Sequence, residues 1–201
     1  MFLKWGSQPW MIWRSHWRNR QMLGGRRVTF AILTAMGLFA AIPYTLINRF
    51  ASIRDWAAFD PTLQLDIDIP FLAWMILPYM TLYLYYPVAA WLGSKNEIMW
   101  RQNIVFHQMM LLTCWGVNLI FILLPVEIDL RHLIHGIEGT MWEPFYASMH
   151  AIDTPWNSWP SLHIVQSMQV VFVLRYWYPP TTSRLRIAHV LLLIMWIMLV
   201  I

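Results

Sequence analysis

The residues best placed to do chemistry lie in one short stretch, Pro155-Trp156-Asn157-Ser158-Trp159-Pro160-Ser161-Leu162-His163-Ile164. Proline in the first turn is a normal helix start, so Ser161 and His163 fall at a helix N-terminus. That end carries the positive pole of the helix dipole and unsatisfied backbone N–H groups, and it suits a phosphate. Gln166 and Ser167 lie three and four residues beyond His163 and share its face. A polar stripe in an apolar helix faces a bundle interior or a cavity, not lipid. The plainer reading is an interfacial histidine followed by helix-packing polar residues.

The other candidates are weaker. His132, His135 and Glu138 are spaced i, i+3, i+6. On a helix they form either a metal-binding face or the polar face of a segment lying on the bilayer, with Leu133, Ile134 and Ile137 toward lipid. Metal sites need a fuller ligand set with a second shell, so the interfacial helix is preferred and no metal or other cofactor is expected. His107 and His150 read as packing or interfacial residues, and Asn118 as a hydrogen bond between helices. The single cysteine, Cys114, lies in an apolar run, so no intrachain disulfide is possible.

The elements that position these residues are membrane spans. Of the 201 residues, 59% are hydrophobic and 12% charged, with mean hydropathy +0.48. A soluble domain carries about 25% charged residues, and disordered chains carry still more charge and less apolar content. Both classes are excluded. The fourteen tryptophans, eight tyrosines and ten phenylalanines fit aromatic belts at two water interfaces. Apolar runs occupy residues 28–47, 69–92, 104–125, 160–178 and 187–201. The second should kink at Pro78 and Pro87. The expected fold is all-α, a polytopic membrane bundle of five spans, since open sheets do not survive in lipid.

The N-terminal 27 residues hold six of the fourteen Lys/Arg and no acidic residue, a basic cytoplasmic tail suited to a membrane surface. Residues 28–201 form one membrane domain. Nothing else in the chain supports nucleic-acid binding. Residues 126–159 carry one arginine against five acidic residues and are expected on the outer side, in the periplasm, with the N-terminus in the cytoplasm.

The stretch 121–171 resembles the type 2 phosphatidic acid phosphatase superfamily, closest to the aureobasidin-resistance type of inositol phosphotransferase and its bacterial relatives. The carrying residues are Leu124-Pro125 at a span end, an outer loop of about thirty residues, Asp153-x-Pro155-x-Asn157, and Pro160-Ser161-Leu162-His163. The resemblance implies a six-helix lipid-phosphatase core in a bacterial inner membrane, working on lipid phosphates without metal. It implies that His163 protonates the leaving-group oxygen and that Ser161 holds a phosphoryl oxygen. Arg131 is the one residue available for the arginine of the family's first motif, although no proline follows it. The third motif, with its nucleophilic histidine and aspartate, has no good match. Ser183-Arg184-Leu185-Arg186-Ile187-Ala188-His189 is one residue short, Leu193 stands where the aspartate belongs, and the stretch is expected at the opposite membrane face. The run 187–201 has fifteen residues, fewer than the roughly 20 a span requires, so the expectation is five spans of a six-span enzyme. The rival expectation is a catalytically inactive relative that binds anionic lipid head groups or a protein partner.

Overall fold

The computed structural model describes residues 7–54, 56–124, 126–156 and 158–200. Among them every extended element is helical, and the one β-bridge is an isolated pair, Phe59 with Val126. Among the described residues, three helices are long and apolar enough to cross a membrane: α1 (Arg27–Ile53), α4 (Glu97–Leu123) and α7 (Ser183–Val200). The rest of the bundle is α2 (Ile76–Met80), α3 (Leu82–Leu92), α5 (Glu143–Ile152) and α6 (Leu162–Trp177).

α1 is continuous but irregular. It widens to a π-helical turn at Gly37–Ala41. Pro43 has no N–H to give the carbonyl four residues back, and the widened turn accommodates that gap. The second apolar run breaks more sharply. A 3-10 turn at Ala73–Met75 leads into α2, and Thr81 separates α2 from α3. The Thr81 hydroxyl donates to the Pro78 carbonyl at 2.6 Å, filling an acceptor at the kink. Pro87, expected to bend the run as well, sits inside α3.

The core runs along α1, α3, α4 and α6, with Val28, Ile32, Ala89, Ala90, Ile104 and Val170 fully buried. Ala89 and Ala90 present almost no side chain, which lets neighbouring backbones approach closely. α6 packs on α3, α4 and α7, and α7 packs on α2. α7 keeps most of its apolar surface exposed, as a helix facing lipid would.

Polar contacts close one end of the bundle. Asn103 Nδ2 on α4 donates to the Ala90 carbonyl at 2.8 Å and to Ser94 Oγ at 3.2 Å, and Ser94 meets Thr29 Oγ1 at 2.6 Å. Tyr178 at the end of α6 donates to the Leu92 carbonyl at 2.8 Å. The basic tail folds back on this end. Trp13 is buried in the core cluster, Arg20 pairs with Glu97 at 2.6 Å, and the Arg26 guanidinium lies 3.8 Å from the Trp91 ring centroid. Gln108, fully buried on α4, accepts from the Trp10 backbone at 2.7 Å and donates to the Gln8 carbonyl at 3.0 Å.

Gly93 shows how close the packing is. A Cβ there would lie 2.6 Å from Asn103 Cγ and 2.7 Å from Trp177. Gly93→Ala should therefore destabilise the fold by about 1–3 kcal/mol, through overpacking and loss of the Asn103 hydrogen bonds. Thermal unfolding in detergent reads this, and an unchanged midpoint would contradict it.

Candidate functional site

The site forms at the other end, around Asp153. Asp153 follows the last residue of α5 in extended conformation and turns the chain toward α6. Its carboxylate is reached from three directions. Tyr44 of α1 donates to Oδ1 at 2.7 Å, and Asn48, one turn later on the same face, donates to Oδ1 at 3.4 Å. Tyr79 of α2 donates to Oδ2 at 3.1 Å. His163 Nε2, in the first turn of α6, stands 3.6 Å from Oδ2 and 3.1 Å from the Tyr79 hydroxyl. Asn48 also donates to the Thr154 carbonyl at 3.3 Å and accepts from the Thr154 hydroxyl, which fixes the loop to α1.

His163 is thereby held on every side. Its ring lies 5.4 Å from that of Tyr79 and meets Tyr44 edge-on at 6.4 Å. Nε2 faces the carboxylate and the phenol, so Nδ1 is the nitrogen left for a further partner. A carboxylate and a phenol on one side of an imidazole fix the orientation of the ring.

Arg131 reaches the same residue by its main chain. Its Nη2 donates to the Asp153 carbonyl at 2.5 Å, and its Nε lies 4.0 Å from Asp129 Oδ1. Ser161 is the N-cap of α6, and its hydroxyl oxygen accepts from the Ile164 N–H at a long 3.4 Å. That contact uses a lone pair and leaves the hydroxyl proton to donate. Of the three expected site residues, Arg131 and His163 contact Asp153, while Ser161 lies two residues before His163 and lines neither of the two cavities that meet at Asp153. The expectation that the stripe on α6 faces inward also holds: Gln166 and Ser167 are buried, and Ser167 accepts from the Trp196 indole of α7 at 3.0 Å.

Two cavities meet at Asp153. One, of about 300 Å³, lies between α1, α3 and α6, with Tyr44, Asp153, His163 and Gln166 among its walls. The other, of about 680 Å³, lies under the 126–159 loop and is lined by Tyr79, Arg131, His150, Asp153 and Ser158 together with apolar residues from α2 and α7. Arg131 serves the outer cavity and His163 the inner one.

Other expectations change. Residues 131–138 do not form a helix. Arg131–Leu133 is a single 3-10 turn, and Gly136 follows at φ +70. The spacing of His132, His135 and Glu138 therefore makes no common face. His132 and His135 instead point Nδ1 at the backbone carbonyls of Asp129 and Leu133, at 3.2 and 2.6 Å. Asn118 makes no hydrogen bond to another helix among the described residues: its amide donates to Cys114 Sγ in its own helix at 3.7 Å, and its Oδ1 is buried without a partner. His107 is buried on α4 with Nδ1 at 2.9 Å from the Asn103 carbonyl. His189 contacts the Tyr178 carbonyl at the far end of α6, roughly 22 Å along the axis from His163, so the two histidines cannot share one phosphorus. Pro125 and Asn157 lie outside the described residues.

Asp153 was visible in the sequence as part of a motif but carried no role. Tyr44, Asn48 and Tyr79 were not singled out at all. Their signal was weak: single polar groups at the end of the first apolar run and in the middle of the second.

Comparison with protein families, with curated proteins and with solved structures yields no match to this chain.

Replacing Asp153 with Ala should cost more than replacing it with Asn. The alanine strands the Tyr44 and Tyr79 hydroxyls, a loss of about 2–4 kcal/mol, whereas Asn keeps one acceptor oxygen. Equal unfolding midpoints for the two variants would show that the carboxylate does not organise this end. His150 gives a pH dependence. Burial, and then the nearby Arg131 charge, hold its pKa below 6.5, against a smaller opposing pull from Asp129. The unfolded chain therefore binds more protons as pH falls through 6.5, so stability drops on acidification. His150→Gln should flatten that limb of the unfolding curve, and a curve of unchanged slope would exclude this cause.

Proposed function

We propose that this chain is an integral membrane protein of phosphoryl transfer, acting on a lipid phosphate as a phosphatase or an inositol-type phosphotransferase. The observation that carries the reading is His163, oriented by Asp153 and Tyr79 at the N-terminus of α6 with Arg131 anchored on the same aspartate. The sequence resemblance supports the same assignment. In the proposed arrangement five apolar runs cross a bacterial inner membrane, the tail is cytoplasmic and the 126–159 loop is periplasmic.

The chain's own residues supply the leaving-group half of the reaction. Arg131 offers a planar fork of donors to the phosphoryl oxygens, and Ser161 adds its hydroxyl proton beside the helix N-terminus. Donors preset on developing negative charge contribute most of the stabilisation in such transfers. The P–O bond to the lipid breaks as one to water or an alcohol forms, His163 gives the lipid alkoxide its proton, and the proton released by the acceptor passes to solvent, from which His163 is reprotonated.

A second reading has its own observation. Arg131 and Ser161 already serve the fold, one as a loop anchor and the other as a helix cap. A protein that binds anionic lipid head groups without turnover would tolerate that.

One experiment separates them. Purified protein in vesicles containing phosphatidate is assayed for released phosphate and for phosphatidate binding. Release that falls at least about 100-fold in His163→Ala, with binding retained, supports catalysis. Binding without release supports the second reading. Release unaffected by His163→Ala would remove His163 from the chemistry.

A further inference from the structure

The inner cavity bears on the class of lipid, an assignment that rests on the lipid-phosphate reading. Its walls are almost wholly apolar, with Leu33, Met36, Ala40, Leu82 and Pro87 around it. Gly37 and Ala41, in the π-helical turn of α1, line it too and are exposed on the bundle surface. With so little side chain there, the cavity is open sideways across the exposed face of α1.

One amide intrudes into this apolar space. Gln166 is only 3% exposed and lines the cavity. Its Oε1 accepts the Tyr86 hydroxyl, which fixes the plane of the amide. Its Nε2 is buried and meets no oxygen or nitrogen acceptor among the described residues, only the Cys114 thiol. Cys114 lies beside the amide, and a thiol is a weak acceptor. A buried N–H of this kind calls for an oxygen. It also stands at a defined depth. Gln166 is three residues along α6 from His163, roughly 4.5 Å further from the phosphate position along the helix axis.

We propose that the inner cavity seats the start of an acyl chain, and that Gln166 Nε2 donates to its carbonyl oxygen. In an acylated glycerol phosphate the ester carbonyls lie one glycerol length below the phosphate. A phosphate at His163 therefore brings a carbonyl to Gln166. A polyprenyl phosphate has no oxygen at that depth and would leave the amide unpaired. The substrate class is an acyl lipid phosphate, and Gln166 is its specificity residue.

The test compares lipids that differ only in that oxygen. Binding of dioleoyl phosphatidate and of its dialkyl ether analogue is measured on the purified protein in detergent, with polyprenyl phosphate as a third ligand. The ester should bind roughly tenfold more tightly than the ether, as expected for one hydrogen bond to a buried donor. Gln166→Met, which keeps the volume and removes the donor, should abolish the difference by weakening the ester to the level of the ether. Equal affinity for ester and ether in the wild-type protein would overturn the proposal, as would a preference that survives Gln166→Met. The same pair without phosphate, dioleoylglycerol and its dialkyl analogue, keeps the two readings apart. A carbonyl preference there, with no gain from phosphate, would sink the lipid-phosphate reading and leave the cavity assignment standing.

Discussion

A carboxylate placed where apolar helices converge must be answered by donors, because an unpaired charge in such surroundings is costly. Asp153 is that carboxylate. Its position accounts for why α1 ends its polar face with Tyr44 and Asn48, why α2 turns Tyr79 inward, and why the loop after α5 closes on α6. His163 completes the set through both the carboxylate and the phenol. Elements from four parts of the chain are thus joined by one side chain, and the loop's Arg131 is added through the Asp153 carbonyl.

The opposite end obeys the same rule with neutral groups. Thr29, Ser94 and Asn103 form a closed hydrogen-bonded cluster between α1, α3 and α4. Gln108 is satisfied by backbone of the tail, so the tail acts as part of the bundle's wall at that end. The two ends differ in what they leave over. Apart from Asn103 Oδ1, which has no partner among the described residues, the neutral cluster answers itself. The Asp153 end keeps a histidine nitrogen, a serine proton and part of a guanidinium in reserve.

Much of this was legible in the sequence, and the illegible part has a physical cause. The apolar runs located the three long helices, because hydrophobicity over about 20 residues is a one-dimensional signal. The polar stripe on α6 was legible for a similar reason, since helical periodicity fixes which residues share a face. The helix expected at 131–138 failed because Gly136 and Gly139, both at positive φ, end regular structure there and outweigh the spacing of the histidines. Asp153 was opaque for a different reason. Its partners Tyr44 and Asn48 lie 109 and 105 residues away, and Tyr79 lies 74 away. No local pattern encodes such a meeting, and the separate run patterns give no hint of which polar residues face one another.

The division of the site into two cavities follows from the same aspartate. Asp153 borders both the apolar space between α1, α3 and α6 and the more polar space under the loop. An amphipathic ligand needs both, one for its chain and one for its charged group. The groups that would discriminate are distributed to match: a buried amide and a histidine on the apolar side, an arginine on the polar side, and Asp153 in contact with both cavities. A water-soluble phosphate would engage only the outer half. Under the proposed function, a molecule spanning the boundary at Asp153 would meet all three, and a free head group would not.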